Sequence, residues 1–341
     1  MPGTPHTQHT VGIQQVQNIL KGAVHHKLDV APLLAQAGIP AALLESPLAR
    51  ISQGQYSLLI RSLRRALRDE LWGLMSHPLA PGSFGQCMHR LVRAGTLEQA
   101  LREGFSFYHL LLQDFSPRLT VHEDTAQVQL VARRAVDARL DYAIKAFMLF
   151  TFNAASWLVA RRIPLLTVDY TDTSSSSDTS RVYQVPVRHV QHHVGISFAA
   201  HWLGLPVVQS AQSLREFLAG SPANLIVKYR DHGSVTDRIR RLLRKRLGGD
   251  LPSLEEVGDA LALTPQTLRR RLRDEGRGFQ QIKDELRRDA AIELLLQTPL
   301  PLLEIANRVG FSEASTFHRA FKQWTGVAPG EYRHSRGAGE A

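Results

Sequence analysis

The chain has 341 residues, 43% of them hydrophobic, and a formal charge of +10. This length favours two domains, the basic excess suits a polyanionic partner, and no run of about 18 apolar residues predicts a membrane span. The single cysteine, Cys87, excludes an internal disulfide and a cysteine-based zinc cluster and is typical of a cytoplasmic protein.

Residues 1–10 are polar and lack the apolar segment of a secretory signal, so we expect a disordered tail. Residues 11–206 mix helical and strand patterns. Apolar spacing predicts helices over Gln55–Arg68, Leu97–Leu112 and Asp141–Ala160. Alternation predicts two strands within Leu119–Val131 around the turn Glu123-Asp124-Thr125, and further strands over Ile163–Tyr170 and Val182–Val190, with a loop at Thr171–Ser180 between them. We therefore expect an α+β regulatory domain, with helices and a small, mostly antiparallel sheet.

Several side chains in this domain are of types found in catalytic or metal sites, but their spacing does not match such sites. Ser83 is not framed by glycines two residues to either side, as a nucleophile elbow requires. His189, His192 and His193 have no nearby carboxylate or cysteine, so we interpret them as surface or loop histidines. Cys87 fits a small buried hydrophobe. We predict no catalytic residue, no metal site and no cofactor, and the chain is not expected to be an enzyme.

Aromatic side chains are frequent in the helices of this domain. Two interpretations stay open for them, a solid core or the wall of a ligand pocket, and the sequence leaves ligand-binding residues unassigned. These side chains are Phe105, Phe107, Tyr108, Phe147, Phe150, Phe152 and Trp157.

Residues 207–236 are expected to form a linker, with helical patterns over Ser213–Ala219 and from Asn224 and a break at Asp231–Ser234. A short basic helix over Arg238–Leu247 then opens an all-α domain, residues 237–336.

The C-terminal domain contains an internal repeat. The pattern Val257…Leu261…Leu263-Thr264 recurs 48 residues later from Ile305, and Leu268…Arg270…Leu272 recurs 49 residues later from Phe317. The second copy therefore has one extra residue at the start of its second helix.

Each copy of the repeat predicts a helix, a tight turn and a second helix. Ser253 and Glu256 form a capping-box pattern, and Thr264 with Pro265 is typical of a helix start. In the second copy Gly310 suits the turn, and we expect Ser312 to cap the second helix. We expect Leu268, Leu272, Phe317, Phe321 and Trp324 to form core. These are two helix-turn-helix units, a motif that inserts its second helix into the DNA major groove.

A continuous helical pattern over Phe279–Gln297 connects the two copies. Nineteen residues correspond to roughly 28 Å of helix, and one turn of B-DNA is about 34 Å. A rigid helix of this length can place both recognition helices in successive major grooves.

Residues Ser253 to Arg333 resemble the DNA-binding domain of the AraC/XylS family. The resemblance is carried by Ile305-Ala306-Asn307-Arg308-Val309-Gly310-Phe311-Ser312, by Phe317-His318-Arg319-Ala320-Phe321-Lys322, and by Thr325-Gly326-Val327-Ala328-Pro329-Gly330-Glu331-Tyr332-Arg333. Gly258 and Ala262 depart from the family pattern, which commonly has alanine and glycine at these places.

The resemblance implies which residues contact DNA. The base-contacting residues would be Gln266, Arg269 and Arg270 in the first unit and Ser315, Thr316, His318 and Arg319 in the second. Arg273 and Lys322 suit phosphates. The alternative for each arginine is a solvated surface charge.

The N-terminal half resembles the arabinose-binding-like effector domain of one branch of this family. The matching residues are Pro81–Gly85, Gly95–Leu101, Leu214–Leu218 and Leu242–Arg244, while Thr171–Val187 departs from the pattern. The resemblance implies a transcription activator controlled by a small-molecule effector. Its partners would be double-stranded DNA, RNA polymerase and the effector, with homodimerisation possible and no membrane partner. Two alternatives stay open: an N-terminal domain that only oligomerises, and an enzyme domain fused to a DNA-binding module.

Overall fold

The computed structural model describes residues 10–171, 183, 185, 187–190, 193–219, 235–275 and 278–334. The chain divides into two compact units that are discontinuous in sequence. Unit 1 consists of Met1–Gln17, Ala31–Leu59 and Asp231–Ala341, and unit 2 consists of Asn18–Val30 and Ile60–Arg230. None of the helices in the described ranges combines the length and the apolarity that crossing a bilayer requires.

Within the described ranges, seven α-helices precede the C-terminal domain. In chain order they are α1 Ile13–His25, α2 Ala31–Gln36, α3 Gln53–Leu67, α4 Ser83–Leu91, α5 Leu97–His109, α6 Ala138–Leu158 and α7 Ala211–Ala219. The helices expected over Gln55–Arg68, Leu97–Leu112, Asp141–Ala160 and Ser213–Ala219 are thus confirmed within a few residues. Asp137 explains the start of α6, because its carboxylate accepts hydrogen bonds from the backbone amides of Arg139 and Leu140.

Unit 2 contains a five-stranded sheet. Its strands are β3 Phe115–His122, β4 Thr125–Ala132, β5 Leu165–Tyr170, β6 Val187–His189 and β7 Val194–Ala199, in the spatial order β3-β4-β7-β5-β6. All neighbouring pairs are antiparallel except β5 and β6, which are parallel. The predicted mostly antiparallel sheet is therefore confirmed, including the turn between β3 and β4. The expected loop over Thr171–Ser180 lies outside the described residues except for Thr171, and the expected strand Val182–Val190 is described only in part.

The buried Asp69 carboxylate organises the loop that follows α3. It accepts hydrogen bonds from the backbone amides of Leu71, Gly73 and Leu79, at 2.7–2.9 Å. Gly73 adopts a φ of 72°, which glycine tolerates without strain. One carboxylate thereby holds the segment from Leu71 to Leu79 in a fixed shape.

Unit 1 contains the C-terminal helices. They are α8 Val235–Arg244, α9 Leu254–Leu261, α10 Pro265–Asp274, α11 Phe279–Gln297, α12 Leu302–Arg308, α13 Ala314–Thr325 and α14 Pro329–His334. Helix α8 begins three residues before the predicted basic helix and packs its buried side chains, including Ile239 and Leu243, against α9, α10 and α11. The helical pattern from Asn224 and the break at Asp231–Ser234 lie outside the described residues.

An N-terminal segment also belongs to unit 1. The short strands β1 Thr10–Gly12 and β2 Arg50–Ser52 pair antiparallel, and their residues contact the C-terminal helices. The Ser46 hydroxyl donates a 3.2 Å hydrogen bond to the Thr325 carbonyl, and the buried Tyr332 hydroxyl donates to the Arg50 carbonyl. Because Thr10 lies in β1 and is buried, the expected tail boundary at residue 10 is corrected by one residue.

Candidate nucleic-acid interface and ligand cavity

The first helix-turn-helix, α9 and α10, is held by its helix caps. The Ser253 and Glu256 capping box forms in both directions, at 3.1 and 2.7 Å. The Thr264 hydroxyl accepts from the Thr267 amide, with Pro265 in the first turn of the helix. Both predicted caps are confirmed, and they satisfy amides that would otherwise lack partners.

Both departures from the family pattern lie at the turn between α9 and α10, and its geometry accounts for Gly258. Ala262 adopts the left-handed conformation, with φ 54° and ψ 44°, where glycine would carry no steric cost. A Cβ atom on Gly258 would lie 2.7 Å from the Leu263 carbonyl oxygen. The turn therefore approaches α9 so closely that alanine does not fit at residue 258.

The second unit, α12 and α13, differs at its cap. Gly310 has the predicted left-handed conformation, with φ 83°. The N-cap of α13 is Glu313, whose side chain makes no capping hydrogen bond, and the helix begins at Ala314. The predicted cap by Ser312 is wrong, because the extra residue of this copy moves the helix start one position further along the chain.

Each second helix has a buried face and an exposed face. In α10 Leu268 and Leu272 are buried, and Arg270 lies midway between them in sequence, about 200° away from each around the axis. In α13 Phe317 and Phe321 are buried, and Arg319 occupies the equivalent position. The two arginines therefore lie opposite the core on their helices. Of the predicted core residues only Trp324 is not fully buried; it is half-buried and its ring centroid is 5.9 Å from that of Phe311.

All the side chains predicted to contact DNA are exposed. They are Gln266, Arg269, Arg270, Arg273, Ser315, Thr316, His318, Arg319 and Lys322. Arg269 is 3.8 Å from the Glu255 carboxylate, but both side chains are more than 60% exposed, so this pair constrains the arginine little. The Ser315 hydroxyl donates to the Glu313 carboxylate at 3.2 Å.

Two further exposed residues extend these surfaces. Arg271 adds a cation to α10, and Gln323 adds an amide to α13 one turn after Arg319. Neither was selected from the sequence. The run of arginines from Arg269 and the helical spacing from Arg319 were the signals that could have identified them.

Helix α11 has the predicted bounds, Phe279–Gln297, and ten of its residues are buried. Two of its cationic side chains contact neighbouring segments. Lys283 donates to the carbonyls of Leu251 and Pro252 at 3.1 Å, and burial lowers the pKa of its ammonium group. Arg287 lies over the Phe311 ring, 5.2 Å from its centroid. One contact is made beside the first helix-turn-helix unit and the other within the second. Helix α11 therefore packs against both units that it connects.

These surfaces have the chemistry of a groove-reading protein. Arginine can donate two hydrogen bonds to guanine, and glutamine pairs with adenine in the same way. Exposed cations beside them suit phosphates, and the first turns of α10 and α13 offer amides.

Unit 2 encloses a cavity of about 580 Å³. Helices α3 to α7 and the loop organised by Asp69 supply its walls. Most of the lining is apolar, and Phe105, Tyr108, Phe147 and Phe150 are among the aromatic side chains. Phe152 is buried without being part of this lining, and the Trp157 ring stacks on Phe217 at 4.2 Å. The aromatic set is therefore divided between residues that line the cavity and residues that pack in the core.

Few polar groups line the cavity. Arg61 and Arg64 extend from α3, and Glu70 accepts hydrogen bonds from the backbone amides of Gly82 and Phe84 at 2.7 and 2.8 Å. Burial raises the pKa of Glu70, although both amides and Arg64 act in the opposite direction.

Burial also raises the pKa of the Cys87 thiol to about 12, so Cys87 behaves as the predicted buried hydrophobe.

Of the three histidines considered as metal ligands, two lie in the described residues and differ in their surroundings. His193 lies 3.6 Å from the Asp169 carboxylate, His189 is exposed, and His192 lies outside the described residues. Asp169 is already paired with Arg188 at 2.8 Å.

Comparison with known proteins relates both halves to one family. Residues 28–207 match the model of the arabinose-binding domain of AraC transcription regulators, N-terminal, and residues 257–335 match a helix-turn-helix domain model. The chain is 24% identical over 332 residues to the ornithine utilization regulator of Pseudomonas aeruginosa, covering 96% of this chain and 98% of that protein. It is 34% identical over 97 residues to the transcriptional activator CfaD of Escherichia coli, covering 28% and 36%. Among solved structures it matches the transcriptional regulator CdpR of Pseudomonas aeruginosa at 21% identity and a TM-score of 0.30, covering 94% and 98%.

Proposed function

The chain belongs to the AraC family of DNA-binding transcription regulators, and from this premise we propose that it activates transcription in response to a small-molecule effector bound in the cavity of unit 2. The exposed faces of α10 and α13 would contact bases in two successive major grooves. One observation carries the DNA part of this proposal. Arg270 and Arg319 occupy equivalent positions in the two copies, each opposite two buried side chains of its own helix.

The proposed division of labour follows the sequence. Residues 11–206 would be the regulatory region, 207–236 a linker and 237–336 the DNA-binding region. Two features modify these boundaries: α7, within the linker range, contributes Leu218 and Ala219 to the cavity, and Ala31–Leu59 belongs to unit 1. Effector binding in the regulatory region would change DNA affinity if the effector binds the DNA-competent state more tightly. This is a regulator's chemistry rather than an enzyme's, in keeping with relatives that are named as regulators.

Activation rests on resemblance to a relative named as an activator, to which only the C-terminal region is similar. It would require RNA polymerase as a partner and a cytoplasmic location, and two copies could bind adjacent sites as a homodimer. Transcription in vitro from a promoter carrying the selected site tests activation directly. A decrease in transcript when the protein is added would show repression instead.

Binding to DNA is tested with a duplex selected from a randomised library by the full-length protein. Arg270→Ala and Arg319→Ala are each expected to cost about 1–3 kcal/mol of specific binding, measured by fluorescence anisotropy. The control is Arg102→Ala on α5, which removes the same charge from an exposed pair with Glu98 in unit 2. Unchanged affinity in both test variants contradicts the assigned faces.

The alternative in which the N-terminal half only oligomerises has its own prediction. In that case no small molecule that binds the cavity would change the affinity for DNA. The chain would still self-associate. Sedimentation of the full chain with and without candidate effectors distinguishes the two functions.

A further inference from the structure

The cavity of unit 2 has an uneven distribution of charge. Its walls are mainly aliphatic and aromatic, with Leu101, Phe105, Phe147 and Leu158 among them. Its cations, Arg61 and Arg64, lie one turn apart on α3. Arg61 is exposed and Arg64 is half-buried, so this end of the cavity is open to water.

The two guanidinium groups are available to a ligand. Neither forms a hydrogen bond or an ion pair with the residues for which the structure gives a position. Glu70 is the carboxylate of the lining, and each of its oxygens already accepts a backbone amide. The Glu70 carboxylate therefore binds the amides at the start of α4. Within the described structure it forms no ion pair with Arg64.

We propose that the cavity binds an organic acid with an apolar body, whose carboxylate pairs with Arg61 and Arg64 and whose carbon skeleton occupies the aromatic interior. This inference rests on the proposed effector role of the cavity and names the chemical class of the effector. Arginine pairs with carboxylates through two parallel hydrogen bonds, and apolar walls select the rest of the ligand by burial.

The same features disfavour a cationic ligand. Ornithine, which appears in the name of one relative, the ornithine utilization regulator, carries a carboxylate and two ammonium groups. Its carboxylate would pair with the arginines, but each buried ammonium group needs acceptors. Among the described residues, the mainly apolar lining supplies Glu70 as its one carboxylate, and each oxygen of Glu70 already accepts a backbone amide. We therefore expect ornithine to bind this cavity weakly.

Binding is tested on the full chain without DNA, by calorimetry and thermal shift. The probes are octanoate, decanoate and dodecanoate, the aromatic acid 4-phenylbutanoate, dodecanol as the neutral analogue, and ornithine. Affinity should rise about threefold to fourfold for each added methylene until the cavity is full. Dodecanol should bind about tenfold or more weakly than dodecanoate, because it lacks the charge.

Variants separate this site from nonspecific adsorption. Arg61→Gln and Arg64→Gln should each weaken acid binding about tenfold and leave dodecanol binding nearly unchanged. Arg65→Gln is the matched control, because Arg65 is exposed on the same helix and does not line the cavity. Ala154→Leu, with Ala154→Val as the milder form, should weaken binding of the longest acid more than that of the shortest, because it reduces the volume of the interior.

Three results overturn the proposal: equal affinity for acid and alcohol, an equal loss in Arg65→Gln, or binding of ornithine as tight as that of the acids and weakened by Ala154→Leu. Failure of every acid to bind overturns it as well. The regulatory role is tested apart from the ligand class, by adding the bound acid to the DNA-binding assay. If the acid binds the cavity without changing DNA affinity, the ligand class stands and the effector role fails.

Discussion

The Thr10 hydroxyl donates a 2.7 Å hydrogen bond to the Asp289 carboxylate, although 279 positions separate the two residues. Asp289 lies on α11, and Arg288 also donates to it at 2.9 Å. Arg50 donates to the Thr10 hydroxyl at 2.8 Å, and its carbonyl accepts from Tyr332. The N-terminal strands and the helix that connects the DNA-reading units thus share one buried polar network.

This network predicts that Thr10→Ala destabilises unit 1 by about 1–3 kcal/mol, because a buried carboxylate loses a donor. The free energy of unfolding in urea, followed by circular dichroism, measures the effect. Thr10→Ser keeps the hydroxyl and should remain close to the wild-type value. A loss of equal size in both variants would assign the effect to packing of the methyl group instead.

The network could not be predicted from the sequence. Residues 1–10 are polar and carry no periodicity, and the partners of Thr10 lie far along the chain. By contrast, α11 was predicted with its correct bounds, because its apolar stripe is uninterrupted and local. The Ser253 capping box and the Thr264 cap were also local patterns. Ser312 is not the cap because the second copy has one extra residue between Ser312 and Phe317, and the N-cap position falls on Glu313 instead.

The residues that line the cavity could not be predicted from the sequence for a different reason. Phe147 and Phe152 lie on the same helix, α6, and both are buried, yet only Phe147 lines the cavity. Apolar spacing reports which face of a helix is covered and not whether a protein atom or a ligand covers it. The position of Arg61 and Arg64 at the cavity could likewise not be predicted, because arginines on a helix are usually solvated charges.

The turn of the first helix-turn-helix predicts opposite effects for two small substitutions. Gly258→Ala should destabilise the chain by about 1–3 kcal/mol, because the new Cβ would lie too close to the Leu263 carbonyl, whose position is set by the turn. Gly330→Ala is the control, since a Cβ there meets no atom within 4 Å. Thermal unfolding midpoints compare the two variants. A higher unfolding midpoint in Gly258→Ala would show that the Leu263 carbonyl moves away from the new Cβ at little energetic cost.

Ala262→Gly is expected to stabilise the same turn by about 0.5 kcal/mol. The gain comes from removing the strain of a left-handed alanine, and it is partly offset by the greater freedom of glycine in the unfolded chain. Because the change is small, it is best measured as a shift of the urea midpoint at constant slope. A destabilised variant would show that the alanine methyl makes packing contacts that outweigh its backbone strain.

Asp114 predicts a pH dependence for the stability of unit 2. Burial opposes ionisation of this carboxylate, but hydrogen bonds from Arg134 at 2.9 Å and from Ser76 at 2.7 Å outweigh it and lower the pKa of Asp114 below 3.8. The folded state therefore binds the proton less readily than the unfolded state. The stabilisation is present above about pH 4 and is lost as the pH falls towards the folded-state pKa.

Asp114→Asn should accordingly lower the free energy of unfolding by about 2–3 kcal/mol at pH 7 and flatten its dependence on pH below 4. Urea titrations across that pH range measure both effects. Asp124→Asn, which removes an exposed carboxylate from the turn between β3 and β4, controls for net charge. An unchanged slope in Asp114→Asn would mean that other carboxylates govern the acid transition.

The repeat predicts that the two DNA-reading helices have separate base preferences. Helix α11 is roughly 28 Å long, so the preferred sites should contain two blocks centred about 10 base pairs apart. Sequencing of duplexes selected from a randomised library by the wild-type chain gives the blocks. Arg270→Ala should relax the preference in one block and Arg319→Ala in the other, because in the proposed arrangement each arginine contacts bases in one groove only.

Lys322→Ala should behave differently from both arginine variants. A phosphate contact carries no base information, so its loss should weaken binding to all duplexes alike and reduce the salt dependence of the affinity by about one counterion. The control variant Arg102→Ala should keep the base preference in both blocks and the wild-type dependence of affinity on salt concentration. Relaxation of the same block by Arg270→Ala and Arg319→Ala would contradict the arrangement, because two helices joined by a rigid nineteen-residue helix cannot reach the same base pairs.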